Sequence, residues 1–170
     1  MSAAARLPLF VLVASLGALA TALTAQYWGG LHPCILCLYQ RWPYGVAIAL
    51  AIVALALGGS SFERKALGRS MRGWAVGLAG VAFLVGAGIA AFHVGVEQGW
   101  WQGTAQCGDA GTPNSIEALR AQIMAAPVVR CTDIAWQLGG ISMAGFNLIA
   151  SLVLAAITLT GARRQIRSAA

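Results

Sequence analysis

The sequence predicts an all-α membrane protein, a bundle of four transmembrane helices joined by one long outer loop. Three observations predict it. Of 170 residues, 59% are hydrophobic and only 9% are charged, whereas a soluble domain carries about 25% charged residues. Uncharged stretches near the length that crosses a bilayer, about 20 residues, recur along the chain. Strands of about ten alternating residues, the mark of a membrane barrel, are absent.

The elements follow in order. The first span covers about residues 7–26, the second about 42–59, the third about 73–96 and the fourth about 141–161. Residues 1–170 are read as a single integral membrane domain, with loops at about 27–41 and 97–140. The first apolar run is read as a retained helix, although Ala18-Leu19-Ala20 resembles a signal cleavage site.

Net charge is +6, but its placement speaks for topology and against nucleic-acid binding. Arg6, Arg64, Lys65, Arg69, Arg72, Arg163, Arg164 and Arg167 fall on one side of the predicted bundle. Arg41, Arg120 and Arg130 fall on the other. Basic residues stay in the cytoplasm, so both termini are expected inside and the loops at 27–41 and 97–140 outside.

All four cysteines, Cys34, Cys37, Cys107 and Cys131, then lie on the outer side, where disulfides persist. Four cysteines allow three pairings, and spacing favours Cys34–Cys37 with Cys107–Cys131. Closing the second loop would contribute roughly 3–4 kcal/mol on the chain-entropy account. The first pair closes almost no loop, so a bond there stabilises little. Such CxxC pairs serve exchange rather than storage. No metal site is expected: a structural zinc wants four ligands, and His32 and His93 are far apart along the chain.

Pro33 suits a first helical turn, which puts Cys34 at the positive end of a helix dipole. Cys34, Cys37 and Arg41 are spaced to share a helix face. At about 6 Å a guanidinium attracts a thiolate by roughly 3 kcal/mol, enough to ionise Cys37 at neutral pH. Trp42 and Tyr44 are expected in an interfacial aromatic belt, and Pro43 is expected to kink the helix. Small residues every four positions, Ala14/Ala18/Ala22 and Ala82/Gly86/Ala90, let helices approach closely. His93 shares that second face near the outer end, either as a structural group or as a proton carrier.

In the long loop, Cys107 sits in a Gly-rich stretch expected to be exposed to a partner protein. Asn114 and Glu117 resemble a capping box ahead of a short amphipathic helix with Ile116, Leu119 and Ile123 on one stripe, stopped by Pro127. Asp133 is expected to cap the approach to the fourth span. Phosphate-binding, serine-hydrolase, zinc-protease and dinucleotide motifs are absent.

Together these features resemble the DsbB family of bacterial inner-membrane disulfide-forming oxidoreductases. The resemblance covers nearly the whole chain. It is most specific over Pro33-Cys34-Ile35-Leu36-Cys37-Leu38-Tyr39-Gln40-Arg41, with further similarity at His93, Cys107, Cys131 and Ser142-Met143-Ala144-Gly145-Phe146-Asn147. Gln40 departs from the glutamate of the best-studied member. The resemblance implies a relay. A reduced DsbA-like periplasmic protein attacks Cys107 of a Cys107–Cys131 disulfide, and Cys131 exchanges with Cys34. Cys37 then passes an electron pair to ubiquinone or menaquinone through a thiolate–quinone charge-transfer complex, with Arg41 and His93 beside the ring. A relative of vitamin K epoxide reductase is disfavoured because its quinone-facing CxxC comes late in the chain. A passive, disulfide-stabilised membrane scaffold is the non-enzymatic alternative.

Overall fold

A computed structural model describes residues 3–58, 66–107, 115–117, 120, 124 and 129–168. Helix α1 runs Ala3–Tyr27, α2 Ile35–Tyr39, α3 Arg41–Gly58, α4 Ala66–Glu97 and α5 Met143–Arg167. Four segments are long and apolar enough to cross a membrane: Ala5–Tyr27, Ile35–Gly58 (α2 and α3 together), Leu67–Glu97 and Met143–Arg167. The protein is therefore an all-α four-helix membrane bundle. Most of the expected amphipathic helix near 114–124, including Asn114, Leu119 and Ile123, lies outside the described residues, as does Pro127.

Helix α4 packs against both α3 and α5, and α1 leans on α3. The bundle is built with large apolar side chains outward. Val13, Leu16, Ile52, Val53, Leu78, Val85, Leu152 and Val153 are exposed, whereas small and polar groups such as Ala47, Ala51, Ala79, Ser15, Ser151 and Thr158 are buried. Lipid tails are as apolar as leucine, so nothing drives the large residues inward. Close contact and polar bonding hold the helices instead. Gly86 on α4 shows the tolerance: a Cβ there would sit 3.2 Å from Pro43 Cβ and 3.6 Å from Ser151 Oγ. The inner face of α4 runs through Val76, Ala79, Phe83, Gly86 and Ala90 to His93, one residue per helical turn.

Two local features differ from expectation. Pro43 does not kink a continuous helix. The chain turns at Gln40, between α2 and α3, and Pro43 occupies the first turn of α3, where a missing N–H goes unnoticed. The approach to α5 is capped by Ser142 rather than Asp133: Ser142 Oγ accepts from the Gly145 N–H at 3.1 Å. A two-stranded hairpin, β1 (Gln137–Leu138) and β2 (Ile141–Ser142), delivers Ser142 to that position. Its turn is Gly139-Gly140, both with positive φ (59° and 79°), as a tight two-residue hairpin requires.

Candidate functional site: a dithiol beside a bundle-end cavity

Cys34 is the N-cap of α2, and its sulfur accepts the Cys37 backbone N–H at 3.3 Å. Its side chain thereby takes the role usually played by serine or aspartate. The same sulfur lies 3.0 Å from Cys37 Sγ and 3.5 Å from His93 Nε2. Both cysteines are free. Three donors thus converge on one sulfur. They hold the Cys34 thiol far below its ordinary range, at about 4; the Cys37 thiol contributes most, burial opposes it, and His93 adds to it.

This corrects the expectation that Arg41 stabilises a thiolate at Cys37. Among the described residues the Arg41 guanidinium bonds neither sulfur; its Nη1 donates to Gln26 Oε1 on α1 at 2.8 Å. The physical reason is the capping geometry, which gathers N–H and S–H donors on Cys34. Arg41 instead ties α3 to α1 and remains in the wall of the cavity described below.

Cys107 and Cys131 form a disulfide, the pairing that spacing favours. Both are fully buried, which corrects the expectation that Cys107 is exposed. Cys107 ends a single 3₁₀ turn, Ala105–Cys107. The chain folds so tightly there that a Cβ on Gly103 would be 2.8 Å from Cys107 Cβ. The disulfide packs in one apolar cluster with Cys34, Leu36 and Val96, flanked by Cys37 and Val129. All four cysteines therefore meet at one end of the bundle.

Beside them lies a cavity of about 280 Å³. Ala18, Ala22 and Ala25 of α1 form one wall, and Trp136, Phe146 and Ala150 another; Cys34, Cys37, Gln40, Arg41, Tyr44, His93 and Asn147 are among its polar groups, together with the acids Glu97 and Asp133. Exposed Tyr27, Trp28, Trp42, Trp100 and Trp101 mark the same end, as an interfacial belt would. Trp42 fits that expectation, but Tyr44 does not. It is buried, and its hydroxyl donates to Asn147 Oδ1 at 2.6 Å and meets Ser151 Oγ at 3.1 Å.

His93, 59 residues from Cys34 in the chain, is brought against it by the last turn of α4. Cys34 Sγ, Cys37 Sγ and a His93 ring nitrogen lie within 4.8 Å of one another. His93 thus joins the two thiols despite its distance along the chain, which makes three potential ligands, one fewer than a structural zinc uses. His32 also lines the cavity. Gln26, Tyr44, Asn147, Ser151 and Glu97 are site residues that sequence reasoning did not single out as such. Asn147 and Ser151, four apart in the apolar first half of α5, were the available signal for an inward polar face.

The chain matches the family model described as "Disulfide bond formation protein DsbB" over residues 4–161. It belongs to the DsbB family. This DsbB-family chain is 32% identical to the Disulfide bond formation protein B of Xanthomonas axonopodis pv. citri over 142 residues, covering 81% of this chain and 77% of that one. It is 30% identical to the protein of the same name from Saccharophagus degradans over 155 residues, 89% of this chain and 88% of that one. It is 29% identical to the uncharacterized protein RP370 of Rickettsia prowazekii over 151 residues, 87% of this chain and 81% of that one. No solved structure matches. Family membership makes this a multi-pass membrane protein of disulfide bond formation, and disfavours the vitamin K epoxide reductase alternative.

Proposed function

We propose that this DsbB-family protein is a quinone-dependent thiol oxidase of the bacterial inner membrane. Its termini are cytoplasmic and its cysteine end is periplasmic, and it reoxidises a DsbA-like dithiol protein. The observation that carries the reading is the gathering of a closed disulfide, a reduced CxxC pair and a bilayer-end cavity in one cluster.

The electron path balances as two disulfide exchanges. A thiolate of the reduced partner attacks Cys107 Sγ and expels Cys131 as thiolate. The partner's second thiol attacks the mixed disulfide, and the partner leaves oxidised. Cys131 then attacks Cys34 of a Cys34–Cys37 disulfide, expelling Cys37. Cys107 attacks Cys131 in that mixed disulfide, which restores Cys107–Cys131 and releases Cys34 as thiolate. Each step needs an ionised attacking or leaving sulfur, and the donors around Cys34 favour it as the final leaving group. One closed and one open pair is the distribution such a relay has after the second exchange. Because Cys107 is buried, the partner has to open the 3₁₀ turn to reach it.

The cavity fits a quinone headgroup. Its volume is near the lower end of small-molecule pockets, about 300–1,000 Å³. Its exposed wall is mainly apolar, with alanine and aromatic side chains prominent, and polar side chains converge on it from several elements. Ubiquinone or menaquinone, when bound, supplies a lipid-soluble sink for two electrons and two protons. Arg41, pinned by Gln26, would hold a ring carbonyl. Cys37 faces the same space as the outgoing dithiol sulfur, and His93 keeps Cys34 oriented beside it.

The test is turnover in nanodiscs with a reduced DsbA-like protein and ubiquinone-1. Quinone-dependent oxidation is expected in the wild type, and its loss in Cys34→Ala, Cys37→Ala, Cys107→Ala and Cys131→Ala. Undiminished turnover in Cys37→Ala would overturn the reading.

A further inference from the structure

A line of hydrogen bonds leaves the dithiol and runs into the bundle. Gln40 Nε2 meets His93 Nδ1 at 2.8 Å, Asn147 Nδ2 donates to Gln40 Oε1 at 2.5 Å, and Tyr44 OH donates to Asn147 Oδ1 at 2.6 Å. Ser151 Oγ closes the line 3.1 Å from the Tyr44 oxygen. Gln40, Tyr44, His93 and Ser151 are all buried, so each polar atom has to find its partner inside the line.

The polarity of the line is decided at its two ends. At the inner end Ser151 is fully buried, and the Tyr44 oxygen is its hydroxyl's one partner among the described residues. The serine proton therefore goes to Tyr44, and the tyrosine proton goes to Asn147. Asn147 presents its oxygen to Tyr44 and its amide N–H to Gln40. Gln40 in turn presents its oxygen to Asn147 and an N–H to His93. Nδ1 of His93 has to accept, so it carries no proton. At the outer end the Cys131 backbone is a further partner of the ring, and Nε2 faces Cys34 Sγ at 3.5 Å and Glu97 Oε1 at 3.8 Å, both electron-rich. A proton on Nε2 suits both. Reversing the line would strand the buried Ser151 proton and turn a lone pair on Nε2 toward a sulfur and a carboxylate.

We infer that Gln40, oriented by Asn147, Tyr44 and Ser151, is a positioning residue that holds His93 as the neutral tautomer with its proton on Nε2. Two consequences follow. His93 donates a hydrogen bond to Cys34 and does not take its proton. The ring also lacks a lone pair on the side of the sulfurs, so Cys34, Cys37 and His93 do not close into a soft-metal site. A carboxylate at position 40 would reverse this. It accepts from Nδ1–H, frees Nε2 as a ligand and is the usual outer partner of a metal-bound histidine. The benefit to Cys34 chemistry rests on the relay proposed above, but the tautomer does not, and it is read without turnover.

The experiment is nitrogen-15 NMR of histidine-labelled, reduced protein in nanodiscs, with the His93 signals identified by their loss in His93→Gln. The wild type is expected to show a protonated Nε2 and an unprotonated Nδ1. Proton on Nδ1, alone or on both nitrogens, overturns the inference. Ser151→Ala, which removes the inner anchor without adding bulk, is expected to give a mixture of tautomers. A single unchanged tautomer there overturns the role of the line. Cadmium ion is the second probe. Gln40→Glu is expected to bind it about 10–100-fold more tightly than the wild type, and to lose that gain in the His93→Gln background. Equal affinity in Gln40→Glu and the wild type, or a gain that survives loss of His93, contradicts the inference. Failed quinone turnover with the expected tautomer would sink the proposed function alone.

Discussion

Cys34 Sγ sits 3.5 Å from Nε2 of His93, a residue 59 positions away on another helix. The contact joins the histidine of α4 to the capping sulfur of α2, and it adds to the Cys37 thiol in favouring the thiolate at Cys34 against the cost of burial.

The first prediction concerns pH. The Cys34 ionisation lies well below its ordinary value of 9.0, at about 4. Alkylation of Cys34 by iodoacetamide, read by peptide mass spectrometry on protein with Cys107–Cys131 intact, should stay nearly flat from pH 8 to pH 6. A thiol at its ordinary value would lose about tenfold per unit over that window. The sign for stability follows. A depressed acid favours the fold fully above pH 9, and this contribution is lost as pH falls toward the folded value. His93→Leu should move the alkylation profile toward higher pH.

A second prediction separates the two cysteine pairs. Cys107→Ala/Cys131→Ala should keep the bundle and fail to oxidise the protein partner. Its Cys34–Cys37 pair, reduced by a small dithiol, should still be reoxidised by quinone. Loss of both half-reactions would mean that the loop disulfide holds the dithiol site together rather than feeding it.

Arg41 and Gln26 form the third test. Breaking a hydrogen bond to a charged group costs about 1.5–3 kcal/mol, so Gln26→Leu should raise the quinone KM roughly tenfold or more with little change in partner KM. Arg41→Ala should do at least as much. An unchanged quinone KM in both would remove Arg41 from the cavity's function.

Helix packing supplies the fourth. Gly80 faces Leu159, where a Cβ would lie 2.7 Å from Leu159 Cγ, whereas Gly88 has nothing within 4 Å. Gly80→Val should destabilise the bundle by about 1–3 kcal/mol in thermal unfolding in detergent. Gly88→Ala should be neutral or slightly stabilising. Equal effects would contradict the α4–α5 contact.

The four helices were legible because membrane length and lack of charge are strong, local signals. The CxxC pair and the Cys107–Cys131 pairing were legible from spacing. What could not be read depended on contacts between distant segments. Tyr44 has the composition of a belt residue, and only its polar partners on α5, the acceptor Asn147 and the hydroxyl of Ser151, explain why it turns inward. Cys107 sits in a glycine-rich stretch that reads as exposed, yet the bareness of Gly103 is what lets the turn collapse onto it. Arg41 is spaced to meet Cys37, but Gln26 on a separate helix offers it a better-placed acceptor. Ser142 caps α5 because a Gly-Gly hairpin delivers it there, and two-residue strands leave too little periodicity to detect.

The central claim is that electrons leave the protein from the Cys34–Cys37 dithiol into a lipid-soluble acceptor. Its most direct measurement is a single-turnover reaction of fully reduced protein with ubiquinone-1 in nanodiscs, following quinone absorbance and trapped disulfides together. The account predicts quinol formed in step with the Cys34–Cys37 disulfide, and none in Cys37→Ala. Quinol formed at the wild-type rate in Cys37→Ala, or a Cys34–Cys37 disulfide that forms without quinol, would contradict it.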